Sequence, residues 1–322
     1  MTMTMPRIII TSGDINGIGL RCLAGALQGP QIDAQLCLAI APEVLRDAII
    51  AYGLPGSLTS TAWSIGGHVV HLHTIDATCS VTPGVPSDDA SLHAVASLDA
   101  AITATVNKTY DAVVTLPISK NALARVGWTY PGQTEMLGAY SSGTPLMVLC
   151  TYEVRVALAT VHVPLQDVSA MITPALLEQR IEQLTDHLRN RCGVVAPSIA
   201  VLALNPHAGD NGVIGYEDDR VIAPTIEHMR TAGHNVSGPH PADGFFAFGA
   251  YKKYDGILAM YHDQGLIPLK LLAQGAGVNV TAGLTIIRTS PDHGTAYDLA
   301  VNGEIDAAST RMSIDMAISM IR

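Results

Sequence analysis

Short apolar runs rich in β-branched residues recur along this chain, and each leads through a turn into a stretch with helical spacing. Arg7-Ile-Ile-Ile-Thr11 leads into residues 20–27, the run at 36–40 into 42–52, and the run at 69–75 into 90–107. Asp111-Ala-Val-Val-Thr-Leu116 is a further buried-strand pattern, followed by Pro117-Ile-Ser-Lys120 and a helix. A strand that is apolar on both alternating faces must be covered on both. The alternation therefore predicts an α/β fold with a parallel or mixed sheet between layers of helices. Further on, 146–151 and 155–162 read as adjacent strands and 174–191 as a helix. The runs 198–204 and 257–261 read as strands, the second followed by a turn and Pro268. Residues 221–232 read as a helix, 285–288 as a strand, and a terminal helix starts near 309. No repeat, low-complexity tract or linker interrupts the 322 residues.

Composition narrows the function. Residues are 48% hydrophobic and only 14% charged, enough for a sizeable core, and the net charge is −10. No Lys/Arg cluster offers the basic patch of a nucleic-acid binder, and no apolar run is long enough for a membrane span. An acidic chain that handles an anion must concentrate cations where the anion binds. Five separated cysteines with no Cys-x-x-Cys pair read as reduced thiols. The opening Met-Thr-Met-Thr-Met-Pro-Arg lacks the pattern of a signal peptide, so a cytoplasmic location is expected.

Three histidines share one context. His162, His207 and His262 each follow a mostly apolar run and precede a turn. Strands deliver side chains to the sheet edge in this way, and three imidazoles so delivered suggest a divalent metal site. Acids stand close by in sequence at Asp210 and Asp263. The competing reading is three unrelated histidines.

Other segments carry polar chemistry. Gly13-x-x-x-Gly17-x-Gly19 lies between a strand and a helix and permits close backbone approach to a ligand, without the Rossmann spacing. Pro131-Gly-Gln-Thr-Glu135 offers Gln133 and Thr134 to an anion, or Thr134 as a helix cap. Lys270, Asn279 and Arg288 stand in or beside apolar segments as candidate anion holders, or as surface cations in the case of Lys270 and Arg288. Residues 288–298 form the densest polar cluster.

Five strings in order, Gly13-Asp-Ile-Asn-Gly-Ile-Gly19, Thr115-Leu-Pro-Ile-Ser-Lys120, Leu204-Asn-Pro-His-Ala-Gly209, Tyr261-His-Asp-Gln-Gly265 and Arg288-Thr-Ser-Pro-Asp-His-Gly-Thr-Ala296, carry a resemblance to a known family. It resembles the 4-hydroxythreonine-4-phosphate dehydrogenase family of vitamin B6 biosynthesis, with its threonate and erythronate 4-phosphate relatives. The resemblance implies two α/β/α domains around a cleft, as in isocitrate and isopropylmalate dehydrogenases. The first domain would comprise residues 1–135 and 275–322, the second 136–274. It implies a homodimer with the metal (Zn, Mg, Mn or Co) where subunits meet, held by His162, His207 and His262 with Asp243 nearby. Substrate contacts would be Gln133, Thr134, Lys270, Asn279 and Arg288. NAD or NADP would lie on Asp292, His293, Gly294, Thr295, Ala296 and Asp298. The sequence also departs from the family: Gln133 replaces its histidine, Leu20-Arg21 its Pro-Glu, and Val301 its glycine.

The implied reaction oxidises the secondary hydroxyl of a phosphorylated hydroxy acid, with 4-phosphohydroxy-L-threonine first in line, and then loses carbon dioxide to give 3-amino-2-oxopropyl phosphate. Lys120, Asp263 and His293 are candidates for the base. The alternatives are a D-threonate or D-erythronate 4-phosphate dehydrogenase, a metal-dependent hydrolase, and a non-catalytic sugar-acid phosphate sensor.

Overall fold

The computed structural model describes residues 5–130 and 132–321; Pro131 and the first four residues of the opening segment lie outside them. Thr144–Gly283 packs as one compact unit, and the described residues on either side of it pack as another.

The unit carrying both ends of the chain contains β1 (Arg7–Thr11), α1 (Gly19–Leu27), β2 (Gln35–Ala39), α2 (Pro42–Tyr52), β3 (Ser57–Leu58), β4 (Ala62–Ile65), β5 (His68–His73), α3 (Asp88–Val106), β6 (Ala112–Val114), α4 (Lys120–Arg125) and α5 (Gln133–Tyr140). The other unit contains β7 (Gly143–Cys150), β8 (Arg155–Leu158), α6 (Leu165–Met171), α7 (Pro174–Asn190), β9 (Ser198–Leu202), α8 (Ala223–Thr231), β10 (Asn235–His240), α9 (Ala242–Ala247), β11 (Gly256–Ala259), α10 (His262–Ala273) and β12 (Val278–Leu284). The chain then returns to the first unit with β13 (Ile287–Pro291) and α11 (Ala308–Ile321).

In the first unit the strand order is β13-β6-β1-β2-β5-β4-β3. The pairs from β13 to β5 are parallel, and β5, β4 and β3 form an antiparallel meander. Ile8, Ile9 and Ile10 of β1 are all fully buried, so both faces of the strand are covered; α3 and α11 pack against it. In the second unit the order is β10-β9-β11-β8-β7-β12, parallel from β10 to β8 and antiparallel at β8/β7. Its core joins Leu149, Val156, Leu158, Leu202, Ile257 and Leu269. The architecture is a mixed α/β fold with a large sheet, and among the described residues no helix is long and apolar enough to cross a membrane.

Some local expectations change. Tyr261 is followed by helix α10, which carries Pro268 in its interior, where a turn was expected. Burial of Leu266 and Leu269 against β8 and β11 outweighs the proline's lost hydrogen bond. Arg288 is the second residue of β13 and only 3% exposed, which removes the surface-cation reading. Helix α5 starts at Gln133 with Gly132 as its cap, so Thr134 lies inside the first turn. All five cysteines are free thiols.

Candidate active site

Four neighbouring parallel strands of the second unit end at one edge of its sheet. Past β8 comes His162, past β11 His262, past β9 His207 and past β10 Asp243. In α/β sheets the edge beyond the strands' carboxyl ends is where ligands bind. His162 and His262 come together, with ring centres 5.8 Å apart. They line an open pocket of about 420 Å³ with Val161, Val163, Leu165, Val168, Tyr261 and Asp263. Asp263 Oδ1 lies 2.7 Å from His262 Nδ1. A carboxylate there fixes the ring and leaves Nε2 as the nitrogen available to an ion. Two imidazoles at this spacing, one of them braced, fit two positions of a divalent metal.

His207 is not brought to that pair. Among the described residues no group of three or more His, Cys, Asp or Glu side chains forms a metal-binding cluster within the chain. His207 is exposed on the Pro206–Gly209 turn, where His207, Ala208 and Asp210 all have positive φ (53°, 54° and 45°). That backbone is unfavourable for side-chain-bearing residues. It is pinned by the buried Asp218, which accepts from Leu204 N–H (2.8 Å), Asn205 N–H (3.0 Å) and Asn205 Nδ2 (3.0 Å). Asp243 occupies the first turn of α9. Lys270 is exposed on α10, and Asn279 lies in β12 with its buried Oδ1 lacking a hydrogen-bond partner.

The first unit carries a buried guanidinium. Arg288 donates through Nε (3.0 Å) and Nη2 (2.7 Å) to Thr115 Oγ1, and through Nη2 to Gln133 Oε1 (2.8 Å). Burial pushes its pKa down to about 10, against the attraction of Glu135, so it stays protonated at neutral pH. Gln133 Nε2 also reaches Leu116 O at 3.4 Å. A side chain on Gly132 would sit 2.9 Å from Glu135 Oε2 and 3.4 Å from Lys120 Nζ, so both charged groups border this helix start. Thr115, at the end of β6, is the partner that residue-by-residue reading did not single out; a hydroxyl directly after a buried apolar strand is the signal that marks it.

The 292–298 loop follows β13. Asp292 N–H donates to Ser309 Oγ (2.9 Å), and His293 Nε2 lies 3.4 Å from Thr310 Oγ1. Gly294 is exposed, with nothing within 4 Å of where a side chain would begin, and Asp298 is exposed. The loop thus exposes bare backbone and polar side chains, a surface of the kind a dinucleotide would need. Ile18 N–H donates to Thr295 O (2.9 Å), so the glycine loop at 13–19 packs on it directly. Arg21, where the sequence departs from the family pattern, bonds the carbonyls of Leu299 (2.7 Å), Ala300 (3.3 Å) and Gly303 (3.1 Å). It is a staple for the chain beyond the loop.

The family model for pyridoxal phosphate biosynthetic protein PdxA matches residues 34–317. A 4-hydroxythreonine-4-phosphate dehydrogenase from Bacteroides thetaiotaomicron is 38% identical over 324 residues, covering 98% of this chain and 89% of the relative. The crystal structure of a 4-hydroxythreonine-4-phosphate dehydrogenase from Klebsiella pneumoniae superposes with a TM-score of 0.85 at 32% identity, covering 100% of this chain and 99% of that one. A terephthalate 1,2-cis-dihydrodiol dehydrogenase from Burkholderia xenovorans is similar at a TM-score of 0.65 and 25% identity, covering 98% of each chain.

Proposed function

Because the chain belongs to the PdxA family, we propose that it is a 4-hydroxythreonine-4-phosphate dehydrogenase, oxidising the secondary hydroxyl of 4-phosphohydroxy-L-threonine and releasing carbon dioxide to leave 3-amino-2-oxopropyl phosphate. The observation that carries this reading is Arg288. It is a nearly inaccessible, protonated guanidinium aimed by Thr115 Oγ1 and Gln133 Oε1, with Glu135 near it, in a chain of net charge −10. Such a group suits a substrate anion, with Gln133 and Thr134 at the start of α5 beside it and Lys270 and Asn279 as further holders.

His162, His207, His262 and Asp243 would hold a divalent metal, whose chemistry is to polarise a bound hydroxyl and acidify it. Asp292, His293, Gly294, Thr295, Ala296 and Asp298 would hold NAD or NADP, whose chemistry is to accept a hydride. Asp263 braces His262, and Lys120, exposed beside Gly132, is the group proposed to take the hydroxyl proton. A second copy of the chain is proposed to bring His207 to the His162–His262 pair. The exposed apolar side chains Leu165 (71%), Val213 (80%), Phe248 (90%) and Leu271 (74%) favour this pairing, since they lie in the same unit as the histidines.

The test is cofactor reduction by metal-loaded protein with 4-phosphohydroxy-L-threonine, beside D-threonate and D-erythronate 4-phosphates. Chelator-sensitive turnover of the first substrate is expected. Turnover of only the sugar-acid phosphates would overturn the substrate assignment, and no turnover with any would overturn the enzymatic one.

A further inference from the structure

Three loops of the first unit close on one another around a buried acid. Asp14 is 2% exposed; its Oδ1 accepts from Asn16 N–H (3.0 Å) and its Oδ2 from the Tyr297 hydroxyl (2.5 Å). Asn16 ties this loop to residues 82–85. It accepts from Thr82 N–H at Oδ1 (2.7 Å) and from Gly84 N–H at its carbonyl (2.8 Å), and donates from Nδ2 to Val85 O (2.8 Å). Gly84 in turn lies against Tyr297, since a side chain there would meet the Tyr297 carbonyl at 2.9 Å. The hydroxyls of Ser119 and Thr295 also interact with the Tyr297 oxygen, and Ser119 caps the helix that begins with Lys120. One phenol therefore meets the glycine loop, the ligand-facing loop and the start of α4.

The 292–298 loop is held at two points with its middle open. Upstream it is tied to α11 through Ser309 and Thr310. Downstream it is tied through Thr295 O to Ile18 N–H and through Tyr297 to Asp14. Between them Gly294 is exposed, and Ala296 sits at φ 41°, a left-handed conformation that a non-glycine residue keeps only when its surroundings hold it there.

We propose that Tyr297 is a positioning residue: its hydroxyl, clamped on Asp14, holds the backbone of 293–296 in the conformation that receives the nicotinamide cofactor. This rests on the reading of the 292–298 loop as the cofactor site. The clamp acts before any ligand arrives, so its loss makes binding pay for ordering the loop. It touches cofactor binding and leaves the substrate's anion site around Arg288 alone.

The test removes the hydrogen bond from either side. Tyr297→Phe deletes the hydroxyl and keeps the ring; Asp14→Ala deletes the acceptor without stranding a buried charge, and carries the test if Tyr297→Phe does not fold. Each should raise the Kd and KM for the cofactor by roughly tenfold to a hundredfold, the range set by one hydrogen bond to a charged group. The KM for substrate at saturating cofactor should stay within about twofold, and the double variant should be no worse than the weaker single one. A merely structural bond would lower thermal stability without splitting the two KM values. The parent is first titrated calorimetrically with NAD and NADP in its metal-loaded form. If the parent binds neither, the cofactor reading of the loop falls and the proposal with it. If the parent binds and both variants bind within about twofold of it, the clamp alone is overturned.

Discussion

Gln133 offers the sharpest test of how the anion site works. Its Oε1 accepts from Arg288 Nη2 at 2.8 Å, while its Nε2 contact to Leu116 O, at 3.4 Å, is at the limit of a hydrogen bond and adds little. Gln133→Leu keeps the volume and removes the acceptor. Thr115 still takes two bonds from the guanidinium, so the charge survives while its aim loosens. A hydrogen bond to a charged group is worth about 1.5–3 kcal/mol. At the lower end, about 1.4 kcal/mol per tenfold, the substrate KM should rise about tenfold. Gln133→Glu is the isosteric contrast. It places a carboxylate where the amide oxygen was, and two unit charges about 4 Å apart interact by about 4 kcal/mol near a protein surface. The new carboxylate competes with the substrate anion for Arg288, so the KM should rise about a hundredfold or more. Steady-state kinetics varying substrate at saturating cofactor, and then the reverse, decide the matter. If both variants leave the substrate KM within about twofold, the argument is refuted. If they raise the cofactor KM instead, Arg288 serves the cofactor.

His262→Ala and His207→Ala proteins should each lose bound metal and activity. If the ligands come from two copies, mixing the two in equal amounts should restore about a quarter of parental activity, because half the dimers are mixed and each has one whole site; no recovery after proven subunit exchange argues against a shared site. Gly17→Ala would put a carbon 2.7 Å from Thr295 O, so thermal unfolding should show a loss of about 1–3 kcal/mol and the cofactor KM should rise. An unchanged melting temperature would mean that the two loops yield without cost. Asp111 has its pKa lowered, first by its hydrogen bond to Arg7. Its stabilisation is whole above the unfolded value near 3.9 and is lost as pH falls through the lower folded value. Asp111→Asn should therefore flatten the acid limb of stability below about pH 4, read from unfolding midpoints across pH; the effect is small because the pair is partly exposed.

Much of the fold was legible because the signals are local. Residues 42–52, expected as a helix, match α2 with its proline at the first position, and β1 follows Arg7-Ile-Ile-Ile-Thr11 residue for residue. The strands carrying the three histidines were legible for the same reason. Strands β12, β10, β3 and β4 were not. Val278–Leu284 alternates Val278, Val280, Ala282 and Leu284 with Asn279, Thr281 and Gly283, so it shows no continuous apolar run of the kind that marks the buried parallel strands, and the Ser57–Leu58 and Ala62–Ile65 pair is short and rich in hydroxyl residues. Their pairing is decided by neighbouring strands that local pattern does not reveal. In the site, residue types marked Gln133 and Arg288, but that Arg288 points inward to Thr115 depends on β13 lying beside β6, a contact across 173 positions. Asp14 and Tyr297 are 283 positions apart, beyond the reach of any spacing argument.

The His207 turn adds an energetic argument. His207, Ala208, Asp210 and Asn211 all adopt positive φ. Non-glycine residues held in such regions cost of order 1 kcal/mol or more each and persist only where surrounding structure over-determines them. Asp218, fully buried, does this through three accepted hydrogen bonds, and Glu217 adds a fourth by accepting from Asn205 Nδ2 at 2.9 Å. Asp218→Ala strands two backbone donors, which should cost about 2–6 kcal/mol at about 1–3 kcal/mol per stranded group. If the turn is strained in order to present His207, its release should weaken metal binding at least tenfold while the His162–His262 pair, braced separately by Asp263, is undisturbed. Calorimetric metal titration of the variant, at a temperature where circular dichroism shows it folded, separates the two effects. A destabilised variant that binds metal as tightly as the parent would mean that Asp218 serves the fold alone and that the strain at His207 has no part in the site.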